Sequence, residues 1–149
     1  MSLFASIGHV AIRVKDVDRS LAFYAKLDIP EMFRLHRDNG DLWLAYLRIT
    51  DEQYLEVFPD ATTDQAPEMD TNGLNHLCLT VTDIEATLRG IEAAEVPLFR
   101  PLKMGADGNR QAWIKDPDGN RIEIMEMAAD SRQAAAIADW HAQRKVTAA

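Results

Sequence analysis

Residues 8–21, GHVAIRVKDVDRSL, lie over residues 75–88, NHLCLTVTDIEATL, when the chain is shifted by 67 positions against itself. The same shift puts YLEVF (residues 54–58) over RIEIM (residues 121–125), and AYLR (residues 45–48) over AWIK (residues 112–115). One offset that aligns three separate stretches marks an internal repeat, so the chain reads as two copies of one supersecondary unit. Two histidines and two glutamates are paired by it as well: His9 with His76, and Glu56 with Glu123.

Each copy reads as βαβββ. In the first, β-branched residues make 7–14 a strand, Asp18 is taken as the cap of a helix whose apolar face carries Leu21 and Tyr24, and Asp28-Ile29-Pro30 ends it. Strands are predicted over residues 32–37, 42–49 and 53–58, the first two joined by the turn Asp38-Asn39-Gly40-Asp41. The second copy repeats the order: a strand over 74–81, a helix capped by Asp83 and running to about Ala94, and strands over 98–104, 110–115 and 120–127, with Asp116-Pro117-Asp118-Gly119 turning between the last two. The expected fold is α+β, with two tandem βαβββ modules forming one eight-stranded, incompletely closed barrel-like sheet. Its parts are module one at about 6–58, a linker at 59–73, module two at about 74–127 and a C-terminal helix at about 130–145, all in one domain over 1–149. An Asp cap starts that last helix, and Ile137, Trp140 and His141 are expected to form its docked stripe.

Composition narrows the partners. Lys and Arg number 16 against 24 Asp and Glu, a net charge of −8, which argues against nucleic acid or an anionic membrane and favours a small-molecule ligand. No apolar run has the length of a membrane span, and the N-terminus lacks the pattern of a signal peptide, so the expected location is cytoplasmic. Cys78 is the single cysteine, which excludes an intrachain disulfide and a thiolate metal cluster.

His9, Glu56, His76 and Glu123 each fall in a strand that otherwise reads as buried. A lone His or Glu there is ordinarily a surface or hydrogen-bonded residue. Duplication, however, gives no packing reason for both types to stand in both copies. Burying two carboxylates is costly unless cations or donors face them, and a divalent metal shared with two imidazoles would meet that need. Two nitrogen and two oxygen ligands suit Zn²⁺, Ni²⁺, Co²⁺, Fe²⁺ or Mn²⁺.

The repeated βαβββ pattern, the start His-Val-Ala-Ile-Arg-Val, the second His before an apolar strand, and the ending Asp116-Pro117-Asp118-Gly119-Asn120-Arg121-Ile122-Glu123-Ile124 resemble the vicinal-oxygen-chelate superfamily of glyoxalases, bleomycin resistance proteins and dioxygenases. The resemblance covers residues 6–127. It implies one divalent metal per site, and a His-Glu-His-Glu ligand set is similar to that of bacterial glyoxalase I, a lactoylglutathione lyase. The activity so implied is a metal-dependent lyase or isomerase that transfers a proton through an enediolate, on an α-hydroxycarbonyl or a hemithioacetal, with glutathione as a candidate co-substrate. By the same resemblance Glu123 is the base, Glu56 its pseudo-symmetric counterpart, Arg13 a substrate contact, and the chain a homodimer. Two positions depart from glyoxalase I: Asp60 stands where a substrate-contacting Asn is expected, and Asn72 where many members place an Arg. The alternatives are an isomerase, epimerase or dioxygenase acting on a different small metabolite, and a non-catalytic protein that sequesters a small molecule.

Overall fold

A computed structural model describes residues 3–147. The elements follow the repeat: β1 (His9–Arg13), α1 (Val17–Lys26), β2 (Glu31–His36), β3 (Leu42–Arg48) and β4 (Tyr54–Phe58), then β5 (Leu77–Thr80), α2 (Ile84–Ala93), β6 (Leu98–Met104), β7 (Arg110–Lys115) and β8 (Arg121–Glu126), with α3 (Arg132–Thr147) last. The strands make two four-stranded mixed sheets, ordered β1-β4-β3-β2 and β5-β8-β7-β6. This corrects the expectation of one eight-stranded barrel-like sheet. Each copy completes its own ladder, with the outer β1 and β5 pairing in parallel to β4 and β8 and the remaining pairs antiparallel.

The chain forms two compact units. One holds the residues up to Glu68 together with Asp116–Asn120, and the other holds Met69–Lys115 and the chain from Arg121 onward. In the first, Val17, Leu21 and Tyr24 recur at helical spacing on α1 and are buried, as are Leu47, Leu55 and Val57 of the sheet. In the second, Ile84 and Ile91 of α2 are buried, as are Ala112, Ile114, Ile122 and Ile124. Strand alternation then sends Tyr46 and Glu56 to the opposite face from Leu47 and Val57.

The helix ends differ from the expectation in cause. The N-cap of α1 is Asp16, whose carboxylate accepts from Arg19 N at 3.0 Å, not Asp18; Asp83 caps α2 in the same way through Ala86 N. Both helices stop before their prolines in a left-handed residue, Asp28 (φ 59°) and Glu95 (φ 57°). Ile29 N then bonds Tyr24 O and Val96 N bonds Ile91 O, the six-to-one closure of a Schellman motif. Helix α3 is capped by Ser131, whose hydroxyl accepts from Ala134 N, one residue beyond the expected Asp130. Contrary to expectation, its apolar stripe is not docked: Ile137 is 41% exposed and Trp140 52%.

The Asp116–Gly119 turn packs with the first unit although it lies in the second copy's sequence. Asp116 Oδ1 accepts from Asp118 N and Asn120 N, while its Oδ2 accepts from Asn120 Nδ2 and from the buried Tyr24 hydroxyl at 3.0 Å. Asp118 accepts from Lys15 N at 2.7 Å and pairs with Arg19. Gly119 is required by its φ of 82°, and a Cβ there would stand 2.6 Å from Gln65 Oε1.

Candidate metal centre

In each unit the parallel ladder sets an imidazole beside a carboxylate. His9 on β1 lies next to Glu56 on β4, with Nε2 and Oε2 3.6 Å apart. His76, one residue before β5, lies next to Glu123 on β8 with the same atoms 3.0 Å apart. Both carboxylates are buried, at 7% and 8% exposure. Two donors of one ion, each about 2.0–2.2 Å from it and separated by an angle between 90° and tetrahedral, stand about 2.8–3.6 Å apart. Both pairs therefore have the donor chemistry and the spacing of half a two-nitrogen, two-oxygen shell. Among the described residues no group of three or more His, Cys, Asp or Glu stands close enough to hold a metal ion by itself.

The surroundings of the pairs follow from sheet register. Tyr46 sits opposite Glu56, and Trp113, its equivalent in the repeat, sits opposite Glu123. The Tyr46 hydroxyl hydrogen-bonds Glu56, and this bond is the main cause that raises its pKa. Trp113 makes no equivalent bond to the glutamate: its ring packs edge-on against His76 at 4.7 Å and its Nε1 donates to Gln111. Glu123 is instead approached by Cys78. Desolvation first, then the charge of Glu123 and a hydrogen bond to it, push the Cys78 thiol up to about 11. Cys78 is exposed, and it lies on the same face of the sheet as its register partner Glu123.

His76 has a further support that sequence reasoning missed. Its Nδ1 lies 3.0 Å from Asn75 Oδ1, which sets Nδ1 as the protonated nitrogen and leaves the Nε2 lone pair for a metal. Asn75 is fixed in turn by its Nδ2 donating to Met69 O and by Arg121 Nε donating to its carbonyl. A signal for it existed, since Asn75 replaces Gly8 in an otherwise matched stretch. Arg100 was also missed. Its guanidinium lies over Trp113 at 5.4 Å, in the place where the first unit stacks Phe33 on Tyr46. Arg13 lies on the ligand face of β1, where its Nη1 donates to Pro59 O at 2.7 Å and its guanidinium covers Phe58 at 5.5 Å.

The model of the glyoxalase/bleomycin resistance protein/dioxygenase superfamily matches residues 6–124. The chain belongs to this superfamily. Among its relatives, the lactoylglutathione lyase of Pseudomonas putida is 27% identical over 144 residues, covering 79% of this chain and 83% of that protein. A probable lactoylglutathione lyase of Synechocystis is 31% identical over 130 residues, covering 81% of this chain and 95% of the relative. The crystal structure of a glyoxalase family protein from Enterococcus faecalis is matched with a TM-score of 0.73 at 26% identity, over 84% of this chain and all of the other. Superfamily members are largely enzymes and have varied functions. Among the described residues no helix is long and apolar enough to cross a membrane.

Proposed function

We propose that this chain is a divalent-metal-dependent lyase or isomerase of the glyoxalase I type, acting on an α-hydroxycarbonyl or hemithioacetal and working as a homodimer. The observation that carries the reading is the repeated pair: a buried glutamate beside an imidazole at ligand spacing, at equivalent positions of two modules. His9 with Glu56 and His76 with Glu123 are the proposed metal ligands, with Ni²⁺, Co²⁺, Zn²⁺, Mn²⁺ and Fe²⁺ all compatible with such nitrogen and oxygen donors. When bound, a divalent ion supplies Lewis acidity, stabilising negative charge that develops on a carbonyl oxygen.

The protein's own groups do the proton chemistry. Glu123 takes the proton from the carbon next to the carbonyl, and Glu56 or Glu123 returns one to the neighbouring carbon, so no net proton is consumed. The thiol of Cys78 is a weaker donor to Glu123 than the hydroxyl of Tyr46 is to Glu56, which suits Glu123 to the base role. Arg13 is positioned by Pro59 and Phe58, and with five N–H donors it has capacity left for a substrate carboxylate.

A sibling reading, isomerase or epimerase action on another α-hydroxycarbonyl, draws support from Asp60 and Asn72, which add one negative charge and omit one positive charge where a glutathione carboxylate would need the reverse. The test is to reconstitute metal-free protein separately with the five ions, measure stoichiometry, and assay methylglyoxal with glutathione. Turnover with at least one ion is the expected result. Stoichiometric binding without turnover would replace glyoxalase activity by the sibling reading, and failure to bind any ion would overturn both.

A further inference from the structure

From Leu98 opposite Ile114 to Arg100 opposite Trp113, β6 advances two residues while β7 moves one, so Phe99 is the extra residue of a β-bulge. Trp113 in turn sits opposite Glu123. Residues directly opposite one another share a face of the sheet, so Arg100, Trp113 and Glu123 form one cross-strand row. At a strand spacing of about 4.8 Å, the backbones of Arg100 and Glu123 are roughly 10 Å apart, a row short enough for a small substrate to bridge. Lys115, two residues along β7 from Trp113, takes the same face.

The bulge brings two cations onto one ring. Lys115 Nζ lies 4.1 Å from the centroid of Phe99 and the Arg100 guanidinium 5.2 Å from it, while the same guanidinium covers Trp113 at 5.4 Å. Among the described residues the guanidinium has one hydrogen bond, to the Met69 sulfur at 3.1 Å, and neither it nor the Lys115 ammonium pairs with a carboxylate. Yet the chain has a net charge of −8, and Arg19, Arg34, Arg48 and Arg110 each have an acidic partner. The fold does not require these cations either. The 67-residue shift puts Phe33 and Arg48 at the places of Arg100 and Lys115: Phe33 is uncharged and stacks on Tyr46, and Arg48 is neutralised by Asp51 at 2.6 Å. Stacking holds the Arg100 guanidinium in place without occupying its N–H donors, and leaves its fork for an anion.

We propose that Arg100, assisted by Lys115, binds an anionic group, carboxylate or phosphate, at the end of the substrate remote from its α-hydroxycarbonyl. This assignment rests on the proposed function, because it takes the Glu123 end of the row to face the reacting carbon. It narrows the substrate class to α-hydroxycarbonyl compounds with an anionic tail.

The test uses butanohydroxamate, succinic acid monohydroxamate and 3-phosphonopropanohydroxamate, which share a chelating end and differ in a neutral, carboxylate or phosphonate tail. Each is titrated into Zn²⁺-loaded and metal-free protein and followed by NMR at the indole N–H of Trp113, with circular dichroism confirming the fold of every variant. Wild type is expected to prefer an anionic probe over the neutral one by at least about tenfold, the worth of a hydrogen bond to a charged group, and the stronger of the two tails tells carboxylate from phosphate. Arg100→Gln should reduce that preference to within about twofold while leaving the neutral probe within about threefold of wild type; Arg100→Lys should keep part of it, since the charge stays and the fork is lost. Lys115→Gln should lower it by about threefold, as an exposed charge does. Equal affinity for neutral and anionic probes in both forms of the protein, or a preference that survives Arg100→Gln, would overturn the assignment. So would an Arg100→Gln variant that loses the neutral and anionic probes alike, because the side chain would then only brace Trp113. Metal-independent binding of all three probes would instead count against the metal reading, while the Arg100-dependent preference for an anion would still stand in the metal-free protein.

Discussion

In the first unit the carboxylate of Glu56 is held by the hydroxyl of Tyr46, which lies on β3. In the second the equivalent Glu123 is held from its other side, by the thiol of Cys78 on β5. An O–H is a strong donor and an S–H a weak one. The imidazoles differ in the reverse sense: His76 has its Nδ1 fixed by Asn75 and its ring against Trp113, while His9 is half exposed and meets Tyr46 edge-on at 6.5 Å. So each unit holds one member of its pair firmly, and not the same member. Two copies of one His–Glu pair have diverged in the residues around them, and under the proposed function this is where a base and its counterpart would acquire different roles.

The strongest way to break that comparison is to exchange the two carboxylates for amides one at a time. Glu123→Gln should lower kcat by about 10²–10⁴, the usual worth of a general base, while retaining most of the metal by elemental analysis; Glu56→Gln should lose less. Equal losses would show that the surroundings do not differentiate the two glutamates. Next comes the support of each carboxylate. Tyr46→Phe is expected to weaken metal affinity by about 10–100-fold, the range for groups that orient ligands, whereas Cys78→Ala should change it less than about threefold, both by competition with a chelator. A thiol that mattered more than the hydroxyl would remove the weaker donor as a ground for making Glu123 the base.

The third comparison concerns stability. Tyr24 and Ile91 occupy equivalent places in α1 and α2, but only Tyr24 has a hydroxyl to give Asp116. Tyr24→Phe should cost about 1.5–3 kcal/mol in urea unfolding, the value of a hydrogen bond to a charged group. The smallest effect expected is a pH dependence at the same place. Burial, more than any other cause, raises the Asp116 pKa above 3.8, against four hydrogen bonds that lower it. The folded state then binds this proton more tightly than the unfolded chain, so the contribution of Asp116 to stability grows as pH falls from the raised value toward 3.8. Wild type should therefore gain on Asp116→Asn across that window. A difference moving the other way would mean that the hydrogen bonds prevail over burial.

The sequence carried a good deal of this. The 67-residue offset located both pairs, and because strand and helix periods are local, it placed β6 and β7 at their observed ends. It even held the answer to a cap that propensity misplaced: Asp83 repeats Asp16, not Asp18, and two aspartates in one turn differ only in which backbone N–H groups they can reach. The left-handed Asp28 and Glu95 were hidden, since nothing local distinguishes them from a helix stopped by the following proline.

Sequence alone determined the repeat, the element types and the four candidate ligands, because each rests on residue type and short-range spacing. Tertiary structure decided what those residues meet. That two ladders close separately, that the Asp116–Gly119 turn packs under Tyr24, that Cys78 and Tyr46 serve equivalent glutamates from opposite sides, and that the stripe of α3 stays uncovered all depend on groups distant in sequence. Periodicity says which face a side chain takes, but only packing supplies the partner on that face.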